Sequence, residues 1–161
     1  EECDRAIPWS QVGNRSQLTE GGSMRIEIDV LGKPDAAVGF DGVAVNPGYF
    51  GCGYRQSAGN IGDFVSYGFH VPNGAGQQFL LDICHARDHN RGIYAIFADN
   101  KEATSRIDGY GPALMPNQID TVDLGFLADG EHTIEIQMVG KNTDADGQYG
   151  QISSHLVIRS A

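Results

Sequence analysis

The stretch FVSYGFHVPNGAGQQFLLDIC, residues 64–84, decides the fold class. Val65, Tyr67, Phe69 and Val71 alternate with Ser66, Gly68 and His70, and Phe79, Leu81 and Ile83 alternate with Leu80, Asp82 and Cys84. A strand sends successive side chains to opposite faces, so each run reads as a strand with one apolar face. Between them Pro72-Asn73-Gly74 supplies turn chemistry. The same period recurs to either side. Ile26, Ile28 and Val30 alternate with Arg25, Glu27 and Asp29 before Gly32-Lys33-Pro34, and Ile93 to Phe97 is an apolar run ahead of Asp99-Asn100-Lys101. Ile119 to Phe126 and Thr133 to Val139 bracket Asp129-Gly130, which predicts a hairpin, and Leu156 to Ile158 supplies a last strand. No window carries a sustained helical stripe. Seven or more strands separated by turns predict an all-β fold, a two-sheet antiparallel β-sandwich over residues 24–161. Residues 1–23, which hold Trp9, the single Trp, read as an N-terminal arm or a lead-in to the first strand.

Composition agrees. A chain of 161 residues is one ordinary domain. Its 22 Gly and 6 Pro require many turns, 20% charged residues exclude a coiled coil, and 40% hydrophobic residues argue for a packed core. Lys and Arg number 11 against 21 Asp and Glu, a net charge of −10. Such a surface repels phosphate backbones and anionic lipid, so neither nucleic acid nor membrane is an expected partner. No apolar stretch approaches the roughly 20 residues that cross a bilayer. A chain beginning at Glu1 reads as a processed product or an excised module, from which a secreted or cell-surface location is inferred. Cys3, Cys52 and Cys84 contain no Cys-x-x-Cys. Two readings weigh equally: three buried thiols, or one disulfide plus a buried thiol, with Cys3–Cys52 as the first pairing to consider. Asn14-Arg15-Ser16 is a glycosylation sequon.

A family resemblance emerges from specific segments. Asn60-Ile61-Gly62-Asp63-Phe64-Val65-Ser66-Tyr67-Gly68-Phe69-His70-Val71-Pro72 resembles the Gly-Asp-Trp-Val-x-Tyr-x-Val-x-Val-Pro segment of carbohydrate-binding modules of families six and thirty-five. Gly130-Glu131-His132-Thr133 and Val139-Gly140-Lys141-Asn142 are similar to the hairpin and loop that follow in the same modules. The matches keep the family's order. The resemblance implies a jelly roll with the galactose-binding-domain-like topology. It also implies a non-catalytic role: holding an oligo- or polysaccharide in a loop-end cleft and tethering an attached catalytic domain to it. The chain departs from the family in three places. Phe64 stands for the usual Trp, residues 111–118 lack the stacking Trp, and Ser153-Ser154-His155 stands where the final strand commonly has an Asp that helps hold a structural calcium.

Sugar recognition needs aromatic planes against ring C–H faces and planar polar groups for the hydroxyls. The densest aromatic loop is Tyr49-Phe50-Gly51-Cys52-Gly53-Tyr54-Arg55. Its tyrosines, flanked by glycine, are candidates for exposure. Carried across from the family, the candidate ligand-binding residues are Tyr49 or Tyr54 and Tyr110 for stacking and Asn142 for a hydrogen bond, to which Arg55 and Asp144 are added here as orienting groups. Asn142-Thr143-Asp144-Ala145-Asp146-Gly147 begins like a calcium loop, which makes Asp144 and Asp146 candidate metal ligands. Ser153 stands where that pattern needs a bidentate Glu, so an acidic Asx turn is the simpler reading. No other cofactor is implied. His85 and His89, four apart, would share a helix face, but the local pattern is strand-to-loop. For catalysis there is no Gly-x-Ser-x-Gly elbow. A polysaccharide-active enzyme would draw on Glu27, Asp29, Asp63 and Asp82, each also explained as strand or turn polarity. A third reading is an assembly domain that buries the aromatic loop against a neighbour.

Overall fold

The structure, a computed structural model, describes residues 15–18, 23–40, 42–44 and 53–161. Cys3, Trp9, Asn14, Tyr49, Phe50 and Cys52 lie outside the described residues. Thirteen strands follow in chain order: β1 (Arg15–Leu18), β2 (Met24–Asp29), β3 (Ala36–Val38), β4 (Gly42–Ala44), β5 (Tyr54–Gln56), β6 (Phe64–Val71), β7 (Gln77–Arg87), β8 (Ile93–Ala98), β9 (Lys101–Glu102), β10 (Ile107–Asp108), β11 (Met115–Leu127), β12 (Gly130–Gly140) and β13 (Gln151–Ser160). Among the described residues there is no helix, and so none long and apolar enough to cross a membrane.

Two antiparallel sheets face each other. In the first, β13 is central: β7 and then β11 lie on one side, and β2 and β5 share the other side end to end. Residues Arg159 to His155 pair with β2, and Ser153 to Gln151 pair with β5. In the second sheet, β12 runs between β6 and β8. β1 pairs with β2 from Arg15↔Glu27 to Leu18↔Met24, so part of the expected N-terminal arm is a strand of the sandwich.

Period-2 alternation builds the core. Ile26 and Ile28 of β2, Phe79, Leu81 and Ile83 of β7, Ile134, Ile136 and Met138 of β12, and Leu156 and Ile158 of β13 are all buried in one cluster. Their polar neighbours face outward, where Asp82 accepts from Arg159 Nε at 2.7 Å and from Thr121 Oγ1 at 2.7 Å. Burying so many apolar side chains between two sheets is the main source of stability.

The expected hairpin at Asp129-Gly130 does not form. β11 pairs only with β7 in the first sheet, and β12 pairs only with β6 and β8 in the second, so this turn is a corner between sheets. The Asp129 carboxylate holds a second corner beside it, accepting from Gly74 N at 2.8 Å and Gly76 N at 2.7 Å. These bonds hold its pKa below the usual Asp value. The tight hairpin is instead at Asp99-Asn100, where φ values of 51° and 67° give the two positive-φ positions of a type I′ turn between β8 and β9.

Cys84 is disulfide-bonded. With three cysteines in the chain, this overturns the Cys3–Cys52 pairing with Cys84 as the leftover thiol.

Arg55 is 3% exposed and faces the gap where β2 gives way to β5. Its Nε donates to Val30 O at 2.6 Å, Nη1 to Phe40 O at 3.1 Å and Nη2 to Gly32 O at 2.9 Å, while Tyr67 Oη donates to Val30 O at 2.8 Å. Replacing Arg55 by Met leaves three carbonyls without that donor. A loss on the order of 3 kcal/mol is expected, read as a Tm fall of roughly 6 to 12 °C by calorimetry; an unchanged Tm would remove Arg55 from this role.

His132 supplies a pH-dependent contribution. Its Nδ1 meets Asp99 Oδ2 at 2.6 Å and its Nε2 meets Ala128 O at 2.6 Å, two acceptors that only an imidazolium can serve at once. Burial pushes its pKa down, but the bonds to Asp99 and Ala128 outweigh it and leave the value above the ordinary histidine range. This stabilisation is therefore complete below about pH 6.5 and is lost as pH rises through the raised folded value. In thermal melts between about pH 5.5 and pH 8.5, the wild type should lose more Tm than His132→Asn. Equal losses would count against the ion pair.

Candidate functional site

At the end of the sandwich where β13 begins, four connections lie side by side: residues 109–111, 88–92, 146–150 and 57–60. Backbone bonds join them across the end. Gly111 N donates to Asp88 O at 3.1 Å, Gly92 N to Tyr149 O at 2.9 Å, Tyr149 N to Asn90 O at 3.0 Å and Ser57 N to Gly150 O at 2.9 Å. Isolated bridges tie Asp88 to Tyr110 and Arg91 to Tyr149. This loop surface is therefore held nearly as firmly as a sheet, which limits the ordering cost of binding.

The fourth connection is fixed from below. The buried carboxylate of Asp63 accepts from Ser57 Oγ at 2.8 Å and from Asn60 N at 3.1 Å. It packs on Gly39, whose φ of +67° and lack of Cβ are both required, since a Cβ there would lie 2.1 Å from Asp63 Oδ1. Gly59, with φ +95°, leaves its backbone open to the Tyr149 ring, whose Cε1 would be 3.1 Å from an added Cβ. Tyr149 is 48% exposed on this support, and Tyr110 lies half-buried across the 88–92 connection.

Polar groups surround the two rings. Asn142 Nδ2 donates to Asp108 Oδ2 at 2.7 Å, and Asp108 Oδ1 accepts from Tyr110 N at 2.9 Å. Asp146 is engaged by His89 Nδ1 at 2.8 Å. Beneath the surface, His85 is fully buried, its Nε2 2.6 Å from Asp120 Oδ2, which also accepts from Arg87 Nη2 at 2.6 Å. The bond from His85, outweighing burial together with that from Arg87, holds the Asp120 carboxyl below the usual range. Tyr94 lies edge-on to His85, and burial pushes its hydroxyl up to about 12. His85 Nδ1, Arg87 Nη1, Arg91 Nε and Asn117 Oδ1 are buried side-chain atoms with no hydrogen-bond partner. All four belong to this end, whereas interior polar atoms are ordinarily satisfied.

The sequence candidates separate into groups. Tyr110, Asn142 and Asp144 stand together in the loop surface, and Tyr49 lies outside the described residues. Tyr54 is 8% exposed on β5, and Arg55 spends its guanidinium on backbone carbonyls inside the fold. Tyr149 is missed by the sequence reading, although Gly147-Gln148-Tyr149-Gly150 carries the same glycine-flanked aromatic signal that singles out Tyr49 and Tyr54.

The 142–147 loop is an Asx turn: Asn142 Oδ1 accepts from Asp144 N at 2.9 Å, and Lys141 Nζ donates to Ala145 O at 2.7 Å. Among the described residues no three His, Cys, Asp or Glu side chains converge as a metal cage. Asp144 and Asp146 belong to no such group of three. Where the final strand of the family commonly has an acid for calcium, this chain has Ser153. His85 and His89 sit apart in separate carboxylate pairs. Of the acids weighed for catalysis, Glu27, Asp29 and Asp82 share the outer face of the first sheet, where Asp29 accepts from Leu31 N at 2.9 Å. Glu27 and Asp82 flank Val157 on the outer face, two strand spacings or about 10 Å apart, and Asp63 is buried under the loops.

No protein-family model and no curated protein matches the sequence. Solved structures do. The chain is similar to a family 35 carbohydrate-binding module from Clostridium thermocellum, with 14% identity and a TM-score of 0.55 over 85% of this chain and 98% of that one. It is also similar to the C-terminal family 6 module of a marine laminarinase from Zobellia galactanivorans, with 11% identity and a TM-score of 0.55 over 83% and 98%. A Paenibacillus xanthan lyase matches with a TM-score of 0.66 and 15% identity over 80% of this chain, which spans 12% of the lyase. Two of these likenesses cover whole modules end to end. The described residues thus have the jelly-roll β-sandwich fold of the family 6 and family 35 carbohydrate-binding modules.

Proposed function

We propose that the chain is a non-catalytic carbohydrate-binding module that holds an oligo- or polysaccharide on its loop end. The supporting observation is the pairing of an exposed ring, Tyr149, with Tyr110 across one rigid surface, fringed by Asn142, Asp144 and Asp108. A saccharide presents C–H faces and hydroxyls, and rings with fixed amide and carboxylate neighbours meet both. Each of the acids weighed for catalysis, Glu27, Asp29, Asp63 and Asp82, is engaged by a structural partner, which favours binding over turnover. Attachment to a catalytic domain, in a secreted or cell-surface protein, belongs to the same proposal, since related modules occur within larger enzymes such as the xanthan lyase.

Affinity electrophoresis through gels containing xylan, β-mannan or laminarin tests the assignment. Tyr149→Ala and Tyr110→Ala should each weaken retention by roughly fivefold, about 1 kcal/mol for one aromatic contact, with unchanged far-ultraviolet circular dichroism. Retention unaltered in both variants would reject this surface. Release of soluble product from a retained polysaccharide would reject the non-catalytic reading.

A further inference from the structure

The opposite end of the sandwich carries a second aromatic feature. The β11–β7 register shifts between Asp123 and Gly125, and Gly125 has φ +78° with its N–H 2.8 Å from Asp123 Oδ1. Such a bulge re-aims the side chains after it. Here it turns Phe126 outward, 66% exposed and the most exposed aromatic among the described residues. A groove of about 480 Å³ opens on one side of the ring, lined by Gln78, Asp99, Lys101, Thr104 and Asp123 among others. A second, of about 390 Å³, opens on the other side between Gly74, Gly76 and Asp129. Phe126 lines both, so the two form one trough with a ring standing in it.

The trough's acceptors are pre-set. Asp123 Oδ1 takes Gln78 Nε2 at 3.0 Å, both Asp129 oxygens take backbone N–H groups, and Asp99 is held by His132 and by Thr133 N at 2.9 Å. A carboxylate has about four acceptor sites, so each retains capacity toward a ligand hydroxyl. The lining carboxylates of Asp99, Glu102, Asp123 and Asp129 outnumber Lys101, the one Lys or Arg of the lining, and disfavour an anionic ligand. One free ring among spaced polar groups also lacks the continuous apolar core that a protein partner would bury.

We infer that this trough is a second saccharide subsite, for a neutral sugar chain stacked on Phe126 and hydrogen-bonded to Asp99, Asp123 and Asp129. The inference rests on the saccharide-binding reading of the chain. β12 spans eleven residues between the two ends, roughly 35 Å, so a short oligosaccharide cannot reach both. The two subsites would engage separate chains or distant parts of one, raising avidity on polysaccharide beyond either alone.

Two-dimensional amide NMR of the ¹⁵N-labelled chain, titrated separately with xylohexaose, mannohexaose and laminarihexaose, tests it. Saturable shifts at Gly76, Thr104 and Gly125 are expected, independent of those near Tyr149. Phe126→Ala should weaken the far-end response at least tenfold and leave the loop end unchanged, and Phe126→Trp should restore it. Shifts confined to the loop end would overturn this subsite while the binding reading stands, and shifts confined to the far end would do the reverse for the loop surface. No shift at either end with any of the three sugars would overturn both. Sugar-independent, concentration-dependent broadening that Phe126→Ala abolishes would mark a contact between copies of the chain and overturn the subsite.

Discussion

The buried guanidinium of Arg55 is the constraint around which the first sheet is arranged. Two short strands, β2 and β5, must share one side of β13, and where one ends and the other begins the ladder cannot satisfy every carbonyl. Arg55 reaches three of them at once, on Val30, Gly32 and Phe40. A planar, five-donor, permanently charged group suits a junction of carbonyls better than Lys could, because its donors diverge in fixed directions. The same junction draws in Tyr67 from the second sheet through Val30 O, so the two layers are joined by a polar contact as well as by the core.

From that junction the two ends of the sandwich diverge in character. At the end where β13 starts, successive connections exchange backbone bonds and form a stiff surface that carries Tyr110 and Tyr149. At the other end the chain passes between sheets at two neighbouring corners, clamped together by Asp129. In both places an exposed aromatic depends on a glycine: Gly59 lies under Tyr149, and Gly125 precedes Phe126. Rings set on rigid backbone lose little freedom on binding, which is what a weak-contact ligand such as a sugar requires.

Charge follows a related logic. A surplus of carboxylates would strain a compact fold by self-repulsion, yet many of them have a specific partner: Arg159 for Asp82, His85 and Arg87 for Asp120, His132 for Asp99, His89 for Asp146. Acids that from composition alone are candidates for catalysis or metal binding thus serve as fixed acceptors.

Local residue order was enough to determine the long core strands of this protein, but not short ones such as β1, β3, β4 and β5. The alternation of Val65 to Val71, Phe79 to Ile83 and Ile134 to Met138 depends only on the two-residue repeat of a strand, and each run is a core-lining strand. Tyr110 and Asn142 were legible as loop residues, and the glycines around Tyr149 marked it by the same criterion. What neighbouring residues do not encode is which strand lies beside which. Asp129-Gly130 is chemically suited to a hairpin, but β11 and β12 find better partners in different sheets, and the turn becomes a corner. Arg55 beside Tyr54 has the look of a ligand-facing pair until residues 15 to 25 positions earlier in the chain bring their carbonyls to it. Cys84 likewise acquires its disulfide through the fold. Pairing partners, burial and ion-pair choice are settled by contacts distant in sequence, where tertiary packing outweighs local preference.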